Sequence, residues 1–183
     1  MTFQTCRIID TNICGFVDPR NKDLQNITVG EIMPLINQNP FSERIRFILG
    51  DLGLATRHFL NKHNESKPPN CLGSAFWIAG VSDLDCPYHA YDYELKKHMN
   101  KNSGPNYWES IKLNLENAIP GAFVFSCAIS LDGADWHSGV YLGQIRDRHI
   151  MFEQHCTGGS FGPESLQRYI RPRFYIPRTL RKE

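Results

Sequence analysis

From Ala122 the chain reads Ala122-Phe123-Val124-Phe125-Ser126-Cys127-Ala128-Ile129-Ser130-Leu131, then Asp132-Gly133. It continues Trp136-His137-Ser138-Gly139-Val140-Tyr141-Leu142-Gly143-Gln144-Ile145, then Arg146-Asp147, then His149-Ile150-Met151-Phe152-Glu153-Gln154-His155. β-Branched and aromatic residues fill each run, and the Asp-Gly and Arg-Asp pairs are turn signals. The stretch predicts three consecutive antiparallel strands, and it decides the fold class.

Towards the N-terminus the period changes. Asn70 precedes Leu72, Ala75, Phe76 and Ala79 at i, i+3, i+4 and i+7, which predicts a helix over 70–80 with Gly80 as its stop. Ser42 precedes Ile45, Ile48, Leu49, Leu52, Ala55 and Phe59, a helix of about five turns. Between them, residues 61–69 are polar and end in Pro68-Pro69, a clear break. Further helices are expected over Tyr91 to Met99 and over Tyr107 to Ala118, the second ending at Pro120-Gly121. Beyond the three strands we expect a loop with Gly158-Gly159, a short helix opened by Pro163, and a last strand at Phe174-Tyr175-Ile176. Helices first and an antiparallel meander afterwards make an α+β protein. The first forty residues carry turn signals at Asp18-Pro19, Gly30 and Asn39-Pro40 without a sustained period.

With 183 residues the chain is one domain, or one domain with an extension. Lys and Arg number 20 against 19 Asp and Glu, so no cationic surplus exists to hold nucleic acid. The longest uninterrupted apolar stretch, Ala75 to Val81, is too short to span a bilayer. The first residues lack the pattern of a Sec leader, so we expect a cytoplasmic protein or one exported without a Sec signal. Cys6, Cys14, Cys71, Cys86, Cys127 and Cys156 form no CxxC pair, so neither a zinc ribbon nor a redox dithiol is expected. Reduced thiols, no metal and no organic cofactor are the expectation.

One cysteine is placed differently. Cys71 directly follows the predicted N-cap, where unsatisfied N–H groups and the helix dipole favour thiolate over thiol. Such a thiolate is a nucleophile when a histidine stands beside it and a polar group holds the ring. His137 opens a predicted strand, and the next strand offers Glu153 and His155, two apart and therefore on one face, with Gln154 on the other.

The run Pro120-Gly121-Ala122-Phe123-Val124-Phe125, the run His137-Ser138-Gly139-Val140-Tyr141-Leu142-Gly143 and the run Ile150-Met151-Phe152-Glu153 together resemble the sheet of the NlpC-type papain-like cysteine peptidases. That family carries a Pro-Gly-Asp-Leu-Val-Phe strand, a His-Val-Gly-Ile-Tyr-Leu-Gly strand and a third strand with a polar catalytic residue. Asn70-Cys71-Leu72-Gly73 stands where the family has Asp-Cys-Ser-Gly. The resemblance covers residues 70–155. It implies a papain-like fold with helices packed on a small antiparallel sheet: an N-terminal helical extension over 1–60 and a catalytic domain over 61–183. It implies Cys71 as nucleophile and His137 as base. Allowing for a longer hairpin, the third position falls on Glu153 or, two residues further, on His155. A carboxylate both orients an imidazole and stabilises its cation, which favours Glu153.

The expected activity is hydrolysis of a peptide or amide bond through a thioester. Asn70, Leu72 and Ala122 replace the family's Asp, Ser and Asp, so the resemblance implies cysteine chemistry rather than a peptidoglycan substrate. The alternatives are a deamidase or acyltransferase-type effector with the same order of residues, and a non-catalytic binding domain on the same scaffold. Asp83, Asp85, Cys86 and His89 read as an ordinary polar loop rather than a metal site. His98 and His149 show no partner in the sequence. Arg168, Arg171, Arg173, Arg178, Arg181 and Lys182 read as a solvated basic edge. Trp77 and Trp136 are candidates for either core or groove.

Overall fold

The computed structural model describes residues 24, 26–50, 67–82, 84, 86–99, 109–113, 115–130, 133–155, 161–177 and 180. Within them, helices α1 (Val29–Gln38), α2 (Ser42–Gly50), α3 (Cys71–Ile78) and α4 (Asp92–Met99) precede the strands. The strands are β1 (Glu109–Leu113), β2 (Phe123–Ser130), β3 (Gly133–Ile145), β4 (Arg148–Gln154), β5 (Phe161–Ser165) and β6 (Tyr169–Ile176), with a 3-10 turn at Leu166–Arg168 before β6. They form one six-stranded sheet in the order β1-β6-β2-β3-β4-β5, every pair antiparallel. The architecture is α+β, as the change of period predicts.

The apolar alternation along β2, β3 and β4 covers both faces of the sheet. Val140, Leu142 and Phe152 meet Ile32, Ile36, Ile45 and Ile48 of α1 and α2, together with Trp77 and Ile78 from the end of α3. The start of α3 sets Leu72, Ala75 and Phe76 against Phe123, Phe125 and Tyr175. Ala122, Val124, Tyr141, Met151, Leu166 and Phe174 form a separate cluster. Asn39, between α1 and α2, is buried and donates from Nδ2 to the Tyr141 carbonyl (3.0 Å), tying that corner to β3.

Two expected helices are corrected. Over 107–118 the described residues contain β1 and a turn at 115–117. Glu109 and Leu113 pair with Ile176 and Phe174, so the ladder offered by β6 outweighs a short helical pattern. Pro163 lies inside β5, opposite Phe152, and opens no helix. β5 is an edge strand, where proline's missing N–H costs no ladder bond on the open side. α1 was not anticipated. Thr28 and Glu31 close a capping box at its start: the Glu31 N–H donates to Thr28 Oγ1 (3.3 Å) and the Thr28 N–H to Glu31 Oε2 (2.8 Å). The helix begun at Ser42 is described as far as Gly50, and the remainder of that expectation lies outside the described residues.

Candidate active site

Cys71 is the first residue of α3 and a free thiol. Asn70 caps the helix, its Oδ1 accepting from the N–H of Gly73 (2.9 Å) and from that of Ala90 (3.1 Å) while Nδ2 donates to the Ala90 carbonyl (2.8 Å). The Asn70 N–H donates to the Tyr88 carbonyl (3.3 Å), so the 88–90 segment is clamped against the helix start. Gly73 makes that approach possible, because a Cβ there would stand 1.9 Å from the Tyr88 carbonyl oxygen. We expect Gly73→Ala to destabilise the protein by at least about 3 kcal/mol, the upper end of ordinary overpacking, since the obstacle is backbone. Urea unfolding of the variant measures it; a loss under about 1 kcal/mol would mean that the clamp yields freely.

The other end of α3 is a Schellman motif: Val81 N–H to the Phe76 carbonyl, Gly80 N–H to the Trp77 carbonyl, and Gly80 at φ 70°. At the N-terminus, the N–H groups of Gly73 and Ser74 are taken by the Asn70 side chain and carbonyl. Those of Cys71 and Leu72 have no acceptor within the helix and are available at its positive end.

β3 and β4 bring the other residues to this point. His137 Nε2 lies 2.5 Å from Glu153 Oε2, and the His137 ring also contacts the Cys71 thiol. With Nε2 on the carboxylate, Nδ1 is the nitrogen left for sulfur. Glu153 pairs across the ladder with Gly139, two residues beyond His137. A Cβ at 139 would come within 3.3 Å of the Glu153 Cβ and 2.7 Å of the Phe152 carbonyl oxygen, so glycine lets the carboxylate sit where it does. His155 stands one step behind: its Nδ1 contacts the second oxygen, Glu153 Oε1, at 2.8 Å. Between the two sequence candidates for the third position, Glu153 touches the His137 ring and His155 touches Glu153. Gln154 points the opposite way and accepts a hydrogen bond from the buried Ser74 hydroxyl of α3 (2.7 Å).

Sequence reasoning passed over Tyr169 and Ser138. Tyr169, the first residue of β6, stacks on the His137 ring (5.5 Å between centroids, 18°) and donates its hydroxyl to Glu153 Oε2 (2.7 Å). Ser138 is 1 % exposed, and its hydroxyl has no regular hydrogen bond among the described residues. An unsatisfied buried hydroxyl costs about 1–3 kcal/mol. Neither residue carries a sequence signal beyond, for Ser138, its place next to His137.

The charges reinforce one another. Burial raises the Cys71 thiol pKa, but hydrogen bonding and charge from His137, and then the nearby Ser138 hydroxyl and backbone N–H, overcome it and leave the pKa below that of an ordinary thiol. Burial lowers the His137 pKa, yet Glu153 above all, and then Cys71, carry it up to about 10. Glu153, fully buried, would be pushed up by desolvation; His137 and His155 hold it at about 2. Glu164 is raised to about 7 by burial and by the Glu153 charge, against the opposing pull of Arg168, whose Nη1 lies 2.7 Å away. The arrangement therefore favours thiolate, imidazolium and carboxylate in a row.

An open cleft of about 630 Å³ leads to the sulfur, lined by Leu72, Leu95, Phe125, Trp136, Asp92 and Arg173 besides Asn70, Cys71, Ala90, His137 and Ser138. Trp136 is 65 % exposed and lies flat on Phe125 (4.9 Å, 17°). Arg173 is directly opposite Phe125 on the neighbouring strand and exposed. Trp77, by contrast, is core, with its indole N–H on the Leu84 carbonyl (2.9 Å).

His149 has a partner after all, the Tyr141 hydroxyl at 2.8 Å. Cys86 is buried and His89 contacts the Pro68 carbonyl at 3.0 Å, while Asp83 and Asp85 lie outside the described residues. Arg168 serves the buried Glu164 rather than solvent alone. Among the described residues, Glu153, His155 and Glu164 are the grouping whose ligand atoms, all within 4.8 Å of one another, could hold a cation; the Glu153 oxygens are already engaged by His137, His155 and Tyr169. None of the described helices is long and apolar enough to cross a membrane. No protein-family model matches the chain, and neither a curated protein nor a solved structure is significantly similar to it.

Proposed function

We propose that the chain is a cysteine hydrolase of the papain-like, NlpC type that cleaves an amide bond through a thioester intermediate. One observation carries the reading: a thiol at a helix N-terminus touches an imidazole whose far nitrogen is 2.5 Å from a buried carboxylate. The Cys71 thiolate attacks the carbonyl carbon, and the π pair moves onto oxygen, where the Cys71 N–H can meet it. Collapse of the adduct breaks the C–N bond as the His137 imidazolium gives its proton to the departing amine. Water, deprotonated by the now neutral His137, then attacks the thioester and releases the acid and the thiolate.

The cleft supports a substrate with an apolar or aromatic acyl part, set against Trp136 and Phe125, and an acidic group towards Arg173. The test is alkylation of the intact chain by iodoacetamide and by iodoacetate across pH 5–9, mapped by mass spectrometry, with the other five cysteines as internal references. Selective labelling of Cys71 at pH 6 is expected. Arg173→Ala should lower the iodoacetate-to-iodoacetamide rate ratio about two- to fivefold, the effect of one exposed charge. Labelling of Cys71 no faster than the other cysteines would defeat the hydrolase reading and leave the scaffold as a binding domain.

A further inference from the structure

We propose that Ser138 is a further catalytic residue of this site, its hydroxyl donating a hydrogen bond to the charged sulfur of Cys71. The inference rests on the cysteine hydrolase reading and adds a group to it. Ser138 follows His137 on β3, lines the same cleft as Cys71, and is 1 % exposed. Among the described residues its Oγ has no regular hydrogen-bond partner. A buried hydroxyl without an acceptor is rare, because burial removes it from water and returns nothing. Cys71 lines the same cleft beside it, and the Ser138 hydroxyl and backbone N–H both favour the ionised form of that sulfur. A neutral thiol is a poor acceptor and a thiolate a good one, so the hydroxyl is satisfied only when the site carries its charge.

Among the described residues, the other titratable or charged groups around the sulfur are His137 on β3, Glu153 behind it on β4, Tyr169 stacked on the imidazole from β6, Arg173 on β6 and Asp92 on α4. His137 supplies the countercharge and the transferable proton. Ser138 keeps its own proton throughout, and its contribution is to lower the energy of the anion. Once the sulfur has bonded to the carbonyl carbon, that demand disappears, and the hydroxyl can turn to the new oxyanion.

The experiment is the pH profile of Cys71 alkylation by iodoacetamide in the wild-type chain, Ser138→Ala and Ser138→Thr, each checked by thermal melting. Removing the hydroxyl should move the labelling midpoint up by about one pH unit and slow labelling at pH 6 by about three- to tenfold, the loss of one hydrogen bond to a charged group. Ser138→Thr keeps the donor and should restore the wild-type midpoint. A folded Ser138→Ala with an unchanged midpoint overturns the proposal. So does a Ser138→Thr that is folded and as displaced as the alanine variant, because the effect would then be steric. If wild-type Cys71 itself shows no acid-shifted labelling, the hydrolase reading is what fails, and the role of Ser138 falls with it.

Discussion

Replacing His137 by alanine should slow iodoacetamide labelling of Cys71 at pH 6 by about tenfold or more, and should move the whole profile towards that of an unassisted thiol. An ordinary thiol of pKa ~8.5 is only about 0.3 % thiolate at pH 6. A site held mainly as thiolate therefore gains up to about 300-fold in reactive species, of which the weaker nucleophilicity of a low-pKa sulfur takes back a part. In this protein the gain has to come chiefly from His137, because burial acts in the opposite direction on Cys71 and the imidazole is the first of the groups that oppose it. The helix N-terminus and Ser138 survive the substitution, so some acid shift should persist. A His137→Ala profile superimposable on the wild type would show that the imidazole plays no part in ionising the sulfur.

Glu153→Gln carries the second large effect, on stability and on the imidazole together. The carboxylate is fully buried and meets His137, His155 and Tyr169 at 2.5, 2.8 and 2.7 Å. Removing one partner of a buried pair strands the other charge, at a cost of about 3–5 kcal/mol; glutamine keeps the shape and can still accept from Tyr169, so the lower figure applies. The pH dependence follows from the two shifts. Glu153 falls from 4.5 to about 2 on folding, so its contribution is present above pH 4.5 and is lost as pH drops through 2. His137 rises from 6.5 to about 10, so its contribution is present below pH 6.5 and is lost as pH climbs through 10. The wild-type advantage over Glu153→Gln should therefore be greatest between about pH 4.5 and 6.5 and shrink on either side. Urea midpoints at pH 3, 5.5 and 9.5 test this; an advantage that is the same at all three would remove the ion pair from the account.

Where the sequence carried strong local signals, the structure follows them. Asn70 and Gly80 bound α3 because each performs a backbone task, capping and left-handed turning, that few residues do as well. The three runs between Ala122 and His155 became β2, β3 and β4 within a few residues of their expected ends. The same signals put Cys71 at the start of α3 and His137, Glu153 and His155 on or beside neighbouring strands. Choosing Glu153 over His155 as the neighbour of the ring is not settled by spacing, because both share a face; the side-chain contacts distinguish them, Glu153 Oε2 lying against the His137 ring and His155 against Glu153 Oε1. Tyr169 was invisible for a related reason: it reaches the site through the pairing of β6 with β2, a contact between strands far apart in the chain. The failures at β1 and at Pro163 lie on the two edges of the sheet, where local preference is weak and neighbouring strands decide. In α1 the signal was present, since Thr28 and Glu31 have capping-box spacing and Ile32 and Ile36 lie on one face; Pro34 interrupts the pattern without ending the helix.

The last two residues of β4 act as a mechanical ruler. Glu153 reaches one way to the imidazole, and Gln154 reaches the other way to Ser74, inside the helix that carries the nucleophile. A single peptide unit therefore fixes the spacing between the acid and the latch on the nucleophile's helix. Side chains alternate along a strand, so a slip of β4 by one residue would turn Glu153 towards the helix and Gln154 towards His137. Both halves of the site would be lost in the same movement. A half-assembled centre, with the nucleophile's helix latched and the imidazole without its acid, is therefore not among the states that a one-residue slip can populate.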